Sequence, residues 1–143
     1  MLQLITLNPE WVLGFIDAEG CFHVAIQNNR TMRMGVQVQL QFSVSQHTRD
    51  RALMEQFIPF FGGVGHVVKE GPTMVQYRIR GINDLSNHLY PFLDAHPLLT
   101  VKSKDYADFR LVHDLMAKGL HLTPEGLAQI KVIKDSMNLR RVK

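Results

Sequence analysis

The chain has 143 residues, 45% of them hydrophobic and 20% charged, which is an ordinary globular composition, and we expect one domain over residues 1–143. Its single cysteine excludes an internal disulfide and a cysteine-based zinc site and suits a reducing, intracellular compartment, and we expect neither a signal peptide nor a membrane span. The net charge of +3 is unevenly distributed, because residues 21–47, 65–81 and 131–143 carry +2, +2 and +4. Such segregation is typical of nucleic-acid-binding proteins, although chance clustering on a solvated surface would also explain the last stretch.

The first predicted element is a helix that ends with two carboxylates. Residues 12–20 read Val-Leu-Gly-Phe-Ile-Asp-Ala-Glu-Gly, with Asn8 as a candidate N-cap and Gly20 suited to a left-handed stop. The C-terminus of a helix carries partial negative charge, so Asp17 and Glu19 there cost stability unless a cation offsets them. This pattern indicates that the acidic residues have a use.

Two hairpins are predicted after this helix. Period-two alternation of apolar and polar residues predicts strands over 21–28 and 34–44, joined by a polar connection. A second pair of strands is predicted over 66–70 and 74–80, across a Gly-Pro turn.

Helical spacing of apolar residues predicts the remaining elements. The first expected helix covers about 48–60. The second could be capped by Asn83 or Asp84 and runs to about 93, and the last two cover 103–118 and 123–137. The order of elements, αββαββα followed by a further helix, predicts an α+β fold in which helices cover one face of an antiparallel sheet.

The other face of this sheet is predicted to carry amides and guanidinium groups. Its side chains are His23, Gln27, Gln37, Gln39, Gln41, Gln76, Arg78 and Arg80. Gln can bond adenine and Arg can bond guanine bidentately in the major groove, which admits a two-stranded ribbon. Arg30 and Arg33 beside the first connection and His66 on the second hairpin could add contacts. Such residues could also simply solvate the sheet, but strand surfaces more often use Thr, Lys and Glu for that purpose.

Residues 12–20 resemble the LAGLIDADG motif of homing endonucleases, and Glu19 takes the position of the family's metal-binding acid. Gln46, at the end of the second predicted strand, resembles the family's polar active-site residue, and residues 97–102 resemble the segment that brings a lysine, here Lys102, into the active site. The element order is also similar over nearly all of the chain. One departure is Leu13, where the motif usually has Ala.

A second departure concerns an arginine. Some single-motif members of the family have Arg four residues after the polar active-site residue. This chain has Asp50 there, flanked by Arg49 and Arg51, so the resemblance leaves open which of the two reaches the phosphates.

The resemblance implies a site-specific homing endonuclease that hydrolyses both strands of a long, near-palindromic DNA target with Mg²⁺, for which Mn²⁺ is expected to substitute. Glu19 and a backbone carbonyl near Ala18 would bind the metal, Lys102 would stabilise transition-state charge, and Gln46 would position water. No other small-molecule cofactor is expected. Asp17 is expected to be a hydrogen-bonding support. The implied location is an organelle (chloroplast or mitochondrion) or a prokaryotic cytoplasm.

The single motif implies a homodimer. Gly14 and Ala18 lie four residues apart on one helix face, where small side chains let two helix backbones approach closely. By resemblance, two copies would pair there, with both Glu19 side chains near the two-fold axis.

Two alternatives use the same scaffold without cutting DNA: an intron maturase that binds RNA, and a DNA-binding regulator. Glu19 could then be a solvated helix end and Lys102 a surface lysine. The presence of Glu19, Gln46 and Lys102 together favours cleavage, because a protein that only binds has no need of them. The seven histidines show no metal-ligand spacing.

Overall fold

The computed structural model describes residues 6–138. Its helices are α1 (Pro9–Glu19), α2 (Arg51–Glu55), α3 (Phe57–Phe60), α4 (Ile82–Asp84), α5 (Tyr90–Ala95), α6 (Lys102–Ala117) and α7 (Pro124–Asp135). Its strands are β1 (Gly20–Asn28), β2 (Val36–His47), β3 (His66–Glu70) and β4 (Met74–Arg80). Short 3₁₀ turns cover Thr48–Asp50 and Leu120–Leu122, and a π turn covers Leu85–Leu89. No helix within residues 6–138 is both long and apolar enough to cross a membrane.

The four strands form an antiparallel sheet in the order β1-β2-β4-β3. The inner face of the sheet meets apolar side chains from α1 and from the later helices. Buried members of this shared core include Val12, Ile16, Phe22, Phe42, Phe57, Tyr77, Ile79, Leu85 and Phe109. Burying one such side chain contributes about 1.5–3 kcal/mol, so this layer holds the helices on the sheet. The α+β prediction, with helices on one face, is confirmed.

The exposed edge of β1 is covered by the segment that follows α6. Lys134 Nζ donates to the Val24 carbonyl, and Asn138 Nδ2 donates to the Phe22 carbonyl at 2.9 Å. Asn138 also donates its backbone N–H to Asp105 Oδ1 at 3.0 Å. These bonds satisfy carbonyl groups that an edge strand would otherwise offer to another chain. Of the basic residues in 131–143, Lys134 is thus accounted for, whereas residues 139–143 lie outside the described residues.

Two predicted helices are interrupted, and proline explains both. The helix expected over 48–60 breaks after Glu55, because Pro59 has no N–H and its ring crowds the carbonyl four residues earlier. The helix expected to reach residue 93 ends at Ala95 and passes through a π turn just before Pro91. Its predicted cap was also wrong, since it starts at Ile82 without a side-chain cap.

Candidate active site and nucleic-acid interface

The carboxylate of Asp17 joins α1 to the segment that precedes α6. It accepts hydrogen bonds from the backbone N–H groups of Leu99 at 2.9 Å and Thr100 at 3.1 Å, and from the Thr100 hydroxyl at 2.5 Å. The same hydroxyl oxygen accepts the backbone N–H of Lys102 at 3.2 Å. The first residue of α6 is therefore tied to the C-terminal end of α1.

Electrostatic effects agree with this placement of Lys102. Burial acts to raise the pKa of Asp17, but the hydrogen bonds from Thr100 and Leu99 and the charge of Lys102 outweigh it, so the pKa lies below its ordinary value. Partial desolvation raises the pKa of the Cys21 thiol, and the charge of Lys102 opposes that rise. The charge of Lys102 thus acts on titratable groups at both sides of the point where α1 passes into β1.

Glu19 is the last residue of α1 and is exposed. Gly20 follows with extended backbone angles, φ −71° and ψ 155°, so the expectation of a left-handed stop was wrong. The glycine has a different purpose here, since a Cβ at position 20 would lie 2.7 Å from the Ile16 carbonyl oxygen. Glycine thus lets the helix pass directly into β1 with Glu19 at the turn.

Gln46 comes to the same end of the sheet through strand pairing. Gly20 pairs with Val44, so Gln46 lies two residues further along β2, beyond the start of β1. Its Oε1 accepts the backbone N–H of His47 at 3.0 Å, which leaves the amide N–H groups as donors. No hydrogen bond or ion pair within residues 6–138 joins the side chains of Glu19, Gln46 and Lys102 to one another.

The two arginines near Asp50 differ in their partners. Arg51 forms an ion pair with Glu55, at 3.1 Å between Nε and Oε1, and its Nη2 lies 3.5 Å from the Val67 carbonyl oxygen. The Arg49 side chain is exposed, and its backbone N–H donates to His47 Nδ1. Arg49 is therefore the better candidate for a phosphate contact.

The oxygen groups at the end of α1 fit a hard divalent cation. Mg²⁺ prefers carboxylate and carbonyl oxygens in octahedral geometry and retains several waters. Glu19 offers an exposed carboxylate, and the last turn of α1 directs carbonyls such as that of Ala18 toward the same end. In the part of the chain that the structure describes, no group of three or more His, Cys, Asp or Glu side chains could hold a metal.

The predicted polar face is present on the sheet. Strand register aligns His23, Gln41 and Arg80 across three strands, and aligns Arg78 with His66. Gln27 faces Gln37, and Gln39 faces Ala25. Arg30 and Arg33 are exposed in the connection between β1 and β2. The basic and amide groups therefore extend from the hairpin tip across the sheet to His66 on the edge strand β3.

Several amides on this face are already paired within the chain. Arg80 Nε donates to Gln41 Oε1 at 2.6 Å, and Asn29 Nδ2 donates to Gln37 Oε1 at 3.3 Å. These contacts occupy the amide oxygens, so a bidentate contact of Gln41 or Gln37 with adenine would require them to break. Gln27, which is exposed, and Gln39, which is half-buried, have no such bond among the described residues and are the glutamines best placed for direct reading.

Gln76 does not match its prediction as an exposed residue. Its side chain is 8% exposed, and its amide is bonded to Ser45, Glu70 and Arg78. The sequence analysis missed Ser45 and Glu70 as members of this face. The period-two alternation of β2 and β3 was a signal that could have placed both of them there.

The family model for LAGLIDADG endonucleases matches residues 12–113. This chain belongs to the LAGLIDADG endonuclease family. It is 39% identical over 137 residues to Probable intron-encoded endonuclease 3 of Neurospora crassa, covering 94% of this chain and 25% of that protein. The structure of the I-LtrWI LAGLIDADG homing endonuclease bound to target DNA superposes with a TM-score of 0.92 at 37% identity, over 99% of this chain and 48% of that one. The homing endonuclease I-TnaI gives 0.89 at 41% identity, over 94% and 90%. The chain thus spans about a quarter of the curated relative and about half of I-LtrWI.

The LAGLIDADG helix presents its small residues to the outside. Gly14 and Ala18 are both exposed, and a Cβ built at Gly14 would meet nothing within 4 Å. Leu13, the departure from the motif, instead packs against the core. Within residues 6–138, no neighbouring atom therefore requires a glycine at position 14.

Proposed function

We propose that this chain is a homing endonuclease that recognises a specific double-stranded DNA target across its polar sheet face and hydrolyses both strands with Mg²⁺. The observation that carries the proposal is the Asp17–Thr100 contact, because it ties the backbone at Lys102 to α1, the helix that ends at Glu19. The family membership and the DNA-bound state of I-LtrWI support the same function. The names of the Neurospora relatives support an origin within an intron, and an organelle is the proposed location.

The residues at the end of α1 would each have a separate role in phosphodiester hydrolysis. A divalent ion held there would polarise a phosphate oxygen and lower the pKa of bound water. Glu19 and the Ala18 carbonyl would hold the ion, while the Lys102 ammonium would stabilise the negative charge that develops on the phosphate. The free N–H groups of Gln46 would hold a water by hydrogen bonds. The family's reaction accounts for acidic side chains at a helix end, where they would otherwise cost stability.

The active unit would contain two such helix ends. We propose a C2 homodimer in which α1 meets its copy through Gly14 and Ala18, with two Glu19 side chains near the axis. The chain covers 90% of I-TnaI and about half of I-LtrWI, so the second helix could come from another copy or from a second half of a longer protein. Exposure of the small-residue face supports either source, and the mass of the active species distinguishes them.

The decisive experiment compares the wild-type chain with Glu19→Gln on a plasmid library of candidate sites that includes the uninterrupted form of the sequence flanking the reading frame. Wild type should make double-strand breaks only with Mg²⁺ or Mn²⁺. Glu19→Gln should make none while binding the selected site within about tenfold of wild type, because the change removes a metal-ligand charge and no base contact. Glu125→Gln, an exposed change on α7, is the matched control.

Two results would contradict the proposal. Cleavage by Glu19→Gln at the wild-type rate would remove Glu19 from the active site. Binding of intron RNA by wild type, with no cleavage of any site, would favour the maturase alternative.

A further inference from the structure

A buried amide links a carboxylate to an arginine on the polar face. Gln76 Nε2 donates to Glu70 Oε2 at 2.5 Å and to Ser45 Oγ at 3.4 Å, while Gln76 Oε1 accepts from Arg78 Nε at 3.0 Å. The Gln76 side chain is 8% exposed, whereas Glu70 is exposed and Arg78 is half-buried. The Nε of Arg78 is thus bound by an amide group that solvent barely reaches.

The chemistry of the three partners permits only one orientation of this amide. The nitrogen must face the Glu70 carboxylate, which only accepts, and the oxygen must face the Arg78 guanidinium, which only donates. A flipped amide would set oxygen against oxygen and nitrogen against nitrogen. The position of Glu70 therefore determines the orientation of Gln76, which in turn determines the orientation of Arg78 Nε.

The charges around Arg78 also connect this residue to Glu70. Burial and the nearby charge of Arg80 lower the pKa of Arg78, and the carboxylate of Glu70 opposes both effects. Glu70 therefore offsets the repulsion between two arginines that stand two residues apart on β4. With Nε bound to Gln76, the terminal nitrogens of Arg78 remain available to a ligand.

We propose that Glu70 and Gln76 are positioning residues that hold the Arg78 guanidinium ready to read a guanine in the DNA target. This inference rests on the proposed DNA-binding function. Guanine offers O6 and N7 as two adjacent acceptors in the major groove, which match a pair of guanidinium N–H donors. An arginine that is already ordered loses less side-chain freedom on binding, so the network favours both affinity and selectivity at that base pair.

The test measures base preference by selection from a randomised duplex library followed by sequencing. Arg78→Ala identifies the base pair that this arginine reads, as the position where guanine preference is lost. Gln76→Glu places a second carboxylate against Glu70, and Glu70→Ala removes the outer acceptor by a substitution at an exposed position. The exchange variant Glu70→Gln with Gln76→Glu restores one donor between the two positions and keeps an acceptor for Arg78.

We expect Gln76→Glu and Glu70→Ala to reduce guanine preference at the Arg78 base pair by at least about fivefold, the low end for a bidentate contact. Preference elsewhere should stay within about twofold, and the exchange variant should recover most of the loss. Gln129→Glu, on the exposed face of α7, is the matched control. If Gln76→Glu does not fold, Glu70→Ala and the exchange variant decide the matter.

Each contrary outcome has a distinct meaning. Unchanged guanine preference in Glu70→Ala and Gln76→Glu would overturn the inference while leaving the DNA-binding function intact. An equal loss at all base pairs would also overturn it, because that result indicates a general structural defect. A wild-type chain that selects no sequence would overturn the proposed function together with this inference.

Discussion

The Thr100 hydroxyl lies 2.5 Å from the Asp17 carboxylate, although the two residues are 83 positions apart in the chain. This contact decides where Lys102 stands, because the same hydroxyl accepts the Lys102 backbone N–H at the start of α6. Asp17 thus ties the start of α6 to α1 through Thr100. The prediction that Asp17 is a hydrogen-bonding support is confirmed.

Asp17→Asn should lower both stability and cleavage. An amide cannot accept from all three donors, because its own N–H group would face one of them. Loss of a charge-assisted hydrogen bond at this half-buried site costs about 1–3 kcal/mol of unfolding free energy, with solvent screening favouring the lower end. Urea unfolding and single-turnover cleavage measure the two effects, and Asp114→Asn, exposed on α6, is the control.

The same pair allows a double-mutant cycle. If Asp17 and Thr100 act together, Asp17→Asn with Thr100→Val should cost less than the sum of the two single changes. Additive losses would show that the two residues act independently.

Acid should remove the contribution of Asp17. Burial raises the pKa of Asp17, but the hydrogen bonds from Thr100 and Leu99 and the charge of Lys102 lower it by more. The pKa is therefore depressed in the folded protein. A carboxylate of this kind stabilises the fold at pH values above its unfolded pKa of about 3.9. It loses that contribution as the pH falls through the folded pKa. Unfolding free energies measured from pH 7 to pH 2 should therefore converge for wild type and Asp17→Asn below about pH 4. Parallel curves would contradict this sign.

Lys102→Met should slow cleavage by about tenfold or more with little change in DNA affinity, since the ammonium is expected to interact more strongly with the transition state than with bound DNA. Single-turnover rates and equilibrium binding to one selected site separate the two quantities. Lys104→Met, at an exposed position of the same helix, is the matched control. An equal loss of rate and affinity would make Lys102 a phosphate anchor.

Substitutions of Gly14 should distinguish effects on folding from effects on assembly. A Cβ at position 14 meets nothing within 4 Å, so Gly14→Ala should raise the unfolding free energy of an isolated chain by up to about 1 kcal/mol through helix propensity. Gly14→Leu should instead shift the protein toward monomer, because overpacking costs about 1–3 kcal/mol per site and two-fold symmetry applies it twice. Sedimentation velocity and double-strand cleavage measure the outcome, with Ala107→Leu on exposed α6 as the control.

A fully active Gly14→Leu dimer would show that α1 is not the interface. A wild-type chain that sediments as a monomer on its DNA target would show the same.

Local patterns in the sequence predicted all four strands to within three residues of their ends, and the last two helices to within two. The second hairpin has the predicted bounds, His66–Glu70 and Met74–Arg80, because period-two alternation and the Gly-Pro turn are encoded by adjacent residues. The caps of Asn8 on α1 and Thr123 on α7 also form locally, within three residues of the groups they bind. The resemblance to the LAGLIDADG motif was likewise visible in the sequence, because residues 12–20 are contiguous.

Only the tertiary structure decided which distant groups meet. The Asp17–Thr100 contact, the bond between Gln76 and Ser45 and the coverage of β1 by Lys134 all join residues that no local periodicity relates. Each depends on how the helices and strands pack, since a hydrogen bond forms only when packing brings donor and acceptor within about 3 Å. The sequence by itself therefore determined the elements and the candidate residues, whereas packing determined which of those residues are held in place and which are free to act.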